Sequence, residues 1–476
     1  MVFSSADFLW LFLPITFLLY FNPFIKSILY RNCVLLIVSI LFYAWGEPTF
    51  SIIMICSVII DWGIGLQVGK CHNVQTKKVW MILATSFHIG LLFVFKYMTF
   101  VTSQLSLFFP IKIVTIALPI GISFFTFQMM SYIFDIYYRK VSPQTNVLKL
   151  GLYITMFPQL IAGPIVRYQT IVNEIDNRSV RLNDVYEGIN RFIVGFLKKV
   201  LLADLLAVVS NNIFSASSAI SIASLSAWIG AIAFSFEIYF DFSGYSDMAI
   251  GLARCFGFHF NENFNYPYIA TSVTEFWKRW HISLTNWFRD YVYIPLGGNR
   301  VGKIRNIINL SVVWLLTGIW HGANWTFIVW GFVFLLCQVF EKCCGKLYFK
   351  VPSGIRWVIT MTIVCCNWVI FKSDSLSSAV HYIGIMFGYG ANYIDDTAVY
   401  YSRQCFRLIL ISALAALPWR KVIIWIMEVV SIKEKNNEGI RKLFYVVKDM
   451  TLFMLFVVAV ARVINGAYSP FIYFNF

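Results

Sequence analysis

From Asn306 to Phe340 the chain carries no Asp, Glu, Lys or Arg. A bilayer core of about 30 Å takes a helix of roughly 20 residues, so this run is too long for one simple span. Near its middle stands Trp320-His321-Gly322-Ala323-Asn324-Trp325, and a break is expected within His321–Asn324. Broken backbone inside a membrane has to be shielded by protein or face a wet cavity, because lipid satisfies neither N–H nor C=O groups. A titratable side chain at such a break marks a functional site. His321 is therefore the first candidate for the chemical centre.

The rest of the sequence agrees with a membrane setting. Of its 476 residues 59% are hydrophobic and 13% charged, against about 25% charged in ordinary soluble domains. Further charge-free runs cover residues 8–25, 113–134, 150–166, 205–236 and 357–371. They are apolar all round, whereas barrel strands alternate apolar and polar residues. The expected fold is all-α and polytopic: one integral membrane domain over residues 1–476, with roughly eleven or twelve spans plus re-entrant and interfacial helices. No soluble domain and no internal repeat stands out.

The net charge of +15 invites a nucleic-acid reading, but Lys77-Lys78, Lys198-Lys199, Lys278-Arg279, Arg420-Lys421 and Arg441-Lys442 flank apolar segments. That is the pattern of cytoplasmic helix ends, so no nucleic-acid partner is expected. The ten cysteines form no C-x-x-C pair, and no metal site is indicated. Asp7 before the first helix and Lys26 and Arg31 after it place the amino terminus outside. Pro158 and Gly163-Pro164 should break or kink segment 150–166. Ser215–Ser226 reads as an outside loop.

Several side chains in these segments can carry chemistry. Glu237, Asp241 and Asp247 interrupt an apolar stretch, and the first two share a helix face. They are either buried, paired carboxylates or substrate contacts. Phe276-Trp277-Lys278-Arg279-Trp280-His281 and Trp287-Phe288-Arg289-Asp290-Tyr291 combine aromatic and basic residues, as a membrane interface does. Of six histidines, His321 and His281 stand in such contexts. An imidazole is a good general base near neutral pH and could activate a hydroxyl toward an acyl carbonyl. The competing reading is a satisfied polar group inside a helix bundle.

The His321 block with Trp330-Gly331, together with residues 276–284, resembles the membrane-bound O-acyltransferase family. More narrowly, Tyr239–Asp247, Asn265-Tyr266-Pro267-Tyr268, residues 289–300, Phe42–Pro48 and Gly163–Tyr168 resemble its bacterial branch that O-acetylates alginate and peptidoglycan. The D-alanyl transfer proteins of teichoic acid synthesis are relatives of that branch. The match runs nearly end to end.

The resemblance implies helices around a central tunnel, with His321 as catalytic base and His281 as a second active-site residue. It implies Trp320, Asn324, Asp241, Asp247, Trp277, Lys278, Arg279 and Arg289 as substrate or tunnel candidates. The donor substrate would be acetyl-CoA from the cytoplasm, with no permanently bound cofactor. Lys278, Arg279 and Arg289 would meet its phosphates or, equally, lipid head groups. The setting implied is the bacterial cytoplasmic membrane, with a cell-envelope polysaccharide as final acceptor and an extracytoplasmic SGNH-type acetyltransferase as partner.

The aromatic tail at residues 470–476 resembles the terminal motif of the same branch. It is either a membrane anchor or a carrier in which Tyr473 accepts the acetyl group as an ester. Three rivals remain: D-alanyl transfer to teichoic acid, a multispanning transporter coupled through Asp61, Asp135, Glu237, Asp241 and Asp247, and a scaffold for a polysaccharide synthase.

Overall fold

The computed structural model describes residues 1–219, 222–419, 438–466 and 470–472. Among them seven helices are long and apolar enough to cross a membrane: Ile28–Gly46, Pro48–Lys70, Val74–Leu105, Ser224–Cys255, Trp325–Tyr348, Ser353–Lys372 and Lys442–Ile464. Phe8–Tyr20 and Leu376–Met386 are shorter apolar helices. The protein is thus an all-helical, multi-pass membrane protein. The apolar runs that suggested eleven or twelve spans resolve partly into shorter pieces. Segment 113–134 starts as non-helical chain and becomes the helix Ile122–Tyr137, and part of the apolar segment 408–430 lies outside the described residues.

The distribution of polarity is that of a bundle in lipid. Leu18, Leu41, Ile52, Phe340, Phe406, Phe453 and Met454 are exposed on the outside. Asp61, His88, Lys96, Asp135, Lys199, Glu237, Asp241, His281 and His321 are buried. Lipid gives an ionisable group no hydrogen bonds, so such groups turn inward and pair. Asp61 meets His88 at 2.8 Å, Asp135 accepts from Tyr291, and Asp247 meets Arg191 at 2.9 Å and Lys198 at 2.6 Å. Glu237 accepts from Ser210. Each of the five acids considered for ion coupling has a protein partner: the fifth, Asp241, meets Lys199.

The spine is the helix Ser224–Cys255, buried along most of its length. At 32 residues and a rise of about 1.5 Å each, it exceeds the thickness of the hydrocarbon core. Of Ser215–Ser226, expected as an outside loop, Ser215–Ala219 ends the helix Asp204–Ala219 and Ser224–Ser226 begins the spine, because the uncharged Ser/Ala stretch is compatible with helix ends. Leu182–Leu197 lies against it through four glycines. A Cβ on Gly188 would sit 2.6 Å from the Gly251 carbonyl oxygen, and one on Gly195 would sit 2.5 Å from that of Gly244. Backbone meets backbone here, as small residues allow in membrane helix pairs. Segment 150–166 breaks as its prolines require, into Val147–Thr155, Phe157–Leu160 and a turn, all of it buried.

Candidate active site

The uncharged run splits where glycine and asparagine permit. Lys303–His321 ends on His321, Gly322 is extended, and Asn324 caps the next helix by accepting from the Thr326 N–H at 3.2 Å. The Asn324 Nδ2 also donates to the Asp374 carbonyl at 2.9 Å. Its visible work is to hold the corner. Below the corner the two arms touch closely: a Cβ on Gly318 would lie 2.6 Å from the Phe327 carbonyl oxygen.

His321 is therefore the last residue of a helix, buried to 2% exposure. Its ring packs edge-on against Trp330 at 4.8 Å, Trp320 at 5.0 Å and Phe371 at 5.4 Å. The last carbonyls of a helix lack intrahelical partners, and two residues from another helix supply them. The Lys96 ammonium donates to the Trp320 carbonyl at 2.6 Å and to Ser123 Oγ at 3.2 Å, and the Tyr97 hydroxyl donates to the Ile319 carbonyl. Among the described residues Lys96 forms no salt bridge. Lys96 is absent from the candidates drawn from sequence, although a lysine inside the apolar segment 79–98 is a signal that could have raised it.

His281 arrives by a different route. It joins Val273–Arg279 to Ile282–Phe288 with φ +42°, in the left-handed region that costs a non-glycine residue about 1–2 kcal/mol. Asn263, fully buried, compensates. Its Oδ1 accepts from the Ser283 N–H at 3.1 Å and Ser283 Oγ at 2.9 Å, and lies 3.2 Å from His281 Nδ1. The Asn263 carbonyl takes the Ile282 N–H at 2.9 Å. Because Oδ1 acts as acceptor throughout, His281 Nδ1 carries the proton and Nε2 is the basic nitrogen. Asn263 escapes a reading of the sequence, since a lone asparagine in a loop gives no periodic signal.

The two imidazoles share a wall. Trp320 lies 6.0 Å from the His281 ring and 5.0 Å from that of His321. Phe242 packs edge-on to His281 at 4.7 Å. Phe124 and Phe127 hold Trp320 from behind at 5.4 and 5.5 Å. Offset and edge-on aromatic pairs contribute about 0.5–1.5 kcal/mol each beyond area burial, so the pair of histidines is set in a stiff frame.

Next to this frame is a cavity of about 460 Å³, lined by Trp277, Lys278, Phe288, Arg289, Trp314 and Thr317 among others. Thr317 is one turn before His321 on the same helix. Trp277 in the wall packs on Trp330 at 5.6 Å, and Trp330 packs on His321. Lys278 and Arg289 are exposed at the cavity. Arg279 is not among the lining residues: it pairs with Glu275 at 2.8 Å and donates to the Asn265 carbonyl at 3.1 Å. Asp247 is held by Arg191 and Lys198 as described, and Tyr473 lies outside the described residues.

Comparison with known proteins decides the family. Residues 81–380 match the model of MBOAT, the membrane-bound O-acyltransferase family. The chain belongs to the membrane-bound O-acyltransferase family. Both histidine blocks fall inside the matched region. The chain is 42% identical over 402 residues to the "Probable alginate O-acetylase AlgI" of Pseudomonas syringae pv. tomato, covering 82% of this chain and 76% of that protein. It is 30% identical to the peptidoglycan O-acetyltransferase of Helicobacter pylori, over 100% of this chain and 98% of the other. A teichoic acid D-alanyltransferase of Bacillus subtilis is 30% identical over 53% of this chain and 68% of its own. The activity that goes with this membership is acyl transfer, and the protein is an enzyme.

Proposed function

We propose that this protein takes an acetyl group from acetyl-CoA on the cytoplasmic side of a bacterial inner membrane and passes it across for O-acetylation of a cell-envelope polysaccharide. The observation that carries the reading is a pair of buried histidines sharing one tryptophan wall, beside a cavity with basic residues at its rim. The O-acetylase and O-acetyltransferase names of two relatives that cover 82% and 100% of this chain support the acetyl group and the class of acceptor. The teichoic acid relative overlaps only 53% of this chain, which favours acetyl over D-alanyl transfer.

In this reading Lys278 and Arg289 meet the phosphates of the donor, since charge-assisted contacts to phosphate are strong. Trp277, whose indole N–H has no hydrogen-bond partner among the described residues, lines the path of the thioester arm. His321 takes the proton of an attacking hydroxyl. The oxygen forms a bond to the thioester carbonyl carbon, the C–S bond breaks, and the proton passes from the imidazolium to the thiolate of coenzyme A. His281, held in one tautomer by Asn263, presents Nε2 to the reacting groups.

The attacking hydroxyl is that of Tyr473. Its neighbour Ile472 donates its N–H to Asp241, and Phe242, the residue after Asp241, packs on His281. The acetyl-tyrosine ester is then offered to an extracytoplasmic SGNH-type partner, which moves the acetyl group to a sugar hydroxyl.

The test is mass spectrometry of the fragment containing residues 470–476 after the purified protein meets acetyl-CoA. Wild type is expected to gain one acetyl group on Tyr473, and His321→Ala and Tyr473→Phe to gain none. Coenzyme A release and polymer acetylation that persist in Tyr473→Phe would replace the carrier with direct transfer to the acceptor.

A further inference from the structure

A buried group of charges around Asp241, the residue before Phe242, takes no chemical part in the acyl transfer proposed above. Lys199, Asp241 and Asp204 are 1%, 2% and 7% exposed. The Lys199 ammonium lies 2.7 Å from Asp241 Oδ1 and 2.8 Å from Asp204 Oδ1. Removing such ions from water costs about as much as their mutual attraction returns. A group of this kind inside a membrane protein is a poor stabiliser and a good marker of function.

What the group touches is the chain's last described stretch. Lys199 donates to the Pro470 carbonyl at 3.3 Å, and the second oxygen of Asp241 accepts the Ile472 N–H at 2.8 Å. Between these two backbone contacts the Phe471 ring is buried to 1% exposure, with the Lys199 ammonium 4.5 Å from its centroid and Tyr245 edge-on at 5.1 Å. One cation reads a C=O, one carboxylate reads an N–H two residues on, and a cation–π pocket takes the ring between them. The second carboxylate, Asp204, anchors the cation without spending the Asp241 oxygen that faces Ile472.

We propose that Lys199, Asp204 and Asp241 form a peptide clamp for residues 470–472. Its ligand is a short stretch of peptide backbone with one aromatic side chain, supplied by the chain itself. The clamp fixes the register at which the following residue meets the histidine pair. Lys199 and Asp241 are thus positioning residues that act through the terminal segment. This assignment rests on the reading of Tyr473 as carrier for its purpose but not for its geometry.

The test pairs hydrogen exchange at the Ile472 amide with acetyl loading of Tyr473, in wild type, Asp241→Asn and Phe471→Ala, and adds loading of Ile472→Pro. Phe471→Ala and Ile472→Pro leave the buried charges in place, so they report on the clamp even if Asp241→Asn fails to fold. The expected result is an Ile472 amide that exchanges at least tenfold faster in Phe471→Ala. Acetyl loading is expected to fall at least tenfold in Phe471→Ala and Ile472→Pro, with the KM for acetyl-CoA unchanged. An Ile472 amide that exchanges as freely in wild type as in the variants overturns the clamp. Lost protection with undiminished loading overturns its positioning role. Protection that responds as expected, with no acetyl on wild-type Tyr473, keeps the clamp and removes the carrier.

Discussion

His281 and His321 stand against the same tryptophan but are held by opposite means. His281 is fixed by polarity: Asn263 and Ser283 surround Nδ1, and the backbone is bent into a conformation that an ordinary residue avoids. His321 is framed by shape: Trp320, Trp330 and Phe371 pack on its ring, and the polar help from Lys96 and Tyr97 goes to the helix end that carries it. A hydrogen bond to one ring nitrogen selects a tautomer. Aromatic edges packed on a ring fix its plane and position. In the proposed function His321 is the base and His281 presents one nitrogen to the reacting groups.

The sharpest way to break this distinction is His321→Ala. If His321 is the base, acetyl transfer should fall by about 10²–10⁴-fold, measured as coenzyme A release, with little change in the detergent melting temperature. An equal loss in stability would make the histidine a packing element.

Next is Asn263→Ala, which removes the acceptor facing His281 Nδ1. Leaving the buried Nδ1–H without its acceptor costs about 1–3 kcal/mol, which as lost orientation corresponds to roughly 10–100-fold in rate. The fall should come with a shifted pH–rate profile, whereas a purely structural asparagine would lower the amount of folded protein and leave the profile unmoved.

Lys96→Met should have a milder effect on rate, roughly tenfold, because the Trp320 carbonyl loses its donor while the aromatic cage remains. Stability should hold or rise, since a buried ammonium is exchanged for an apolar chain of similar shape. A collapse in melting temperature would show that Lys96 holds the bundle rather than the helix end.

The smallest effect belongs to the backbone at residue 281. His281→Gly should be more stable than His281→Ala by about 1 kcal/mol, because glycine adopts the left-handed conformation without a Cβ penalty. Both should lose activity, and thermal melts of the two variants make the comparison. Equal melting temperatures would mean that the turn relaxes when the ring is gone.

Much of this is legible in the residues alone. The break at His321–Asn324 follows from an uncharged run longer than a membrane, and the interruption of segment 150–166 follows from Pro158 and Gly163-Pro164. The second histidine is reached through motif resemblance, because nothing in local periodicity announces a left-handed histidine between two short helices. Asn263 and Tyr97 escape because each acts on a residue distant in sequence, and a single chain carries no sign of such pairings; Lys96 leaves a signal, a lysine in an apolar segment, but not the carbonyl it serves. For Asp241 the sequence leaves two readings, a substrate contact or a buried paired carboxylate. The structure pairs it with Lys199 and turns its second oxygen to the Ile472 N–H.

The glycine seam between Leu182–Leu197 and Ser224–Cys255 works like the teeth of a vernier. Gly188 and Gly195 are spaced as Gly251 and Gly244 are, so the scales coincide at both marks in one register. Slide one helix by that spacing and a single mark coincides, with a side chain forced into backbone at the other. The scale therefore has one reading, and both rows of the charged clamp, Lys199 just past one helix and Asp241 on the other, are set by it.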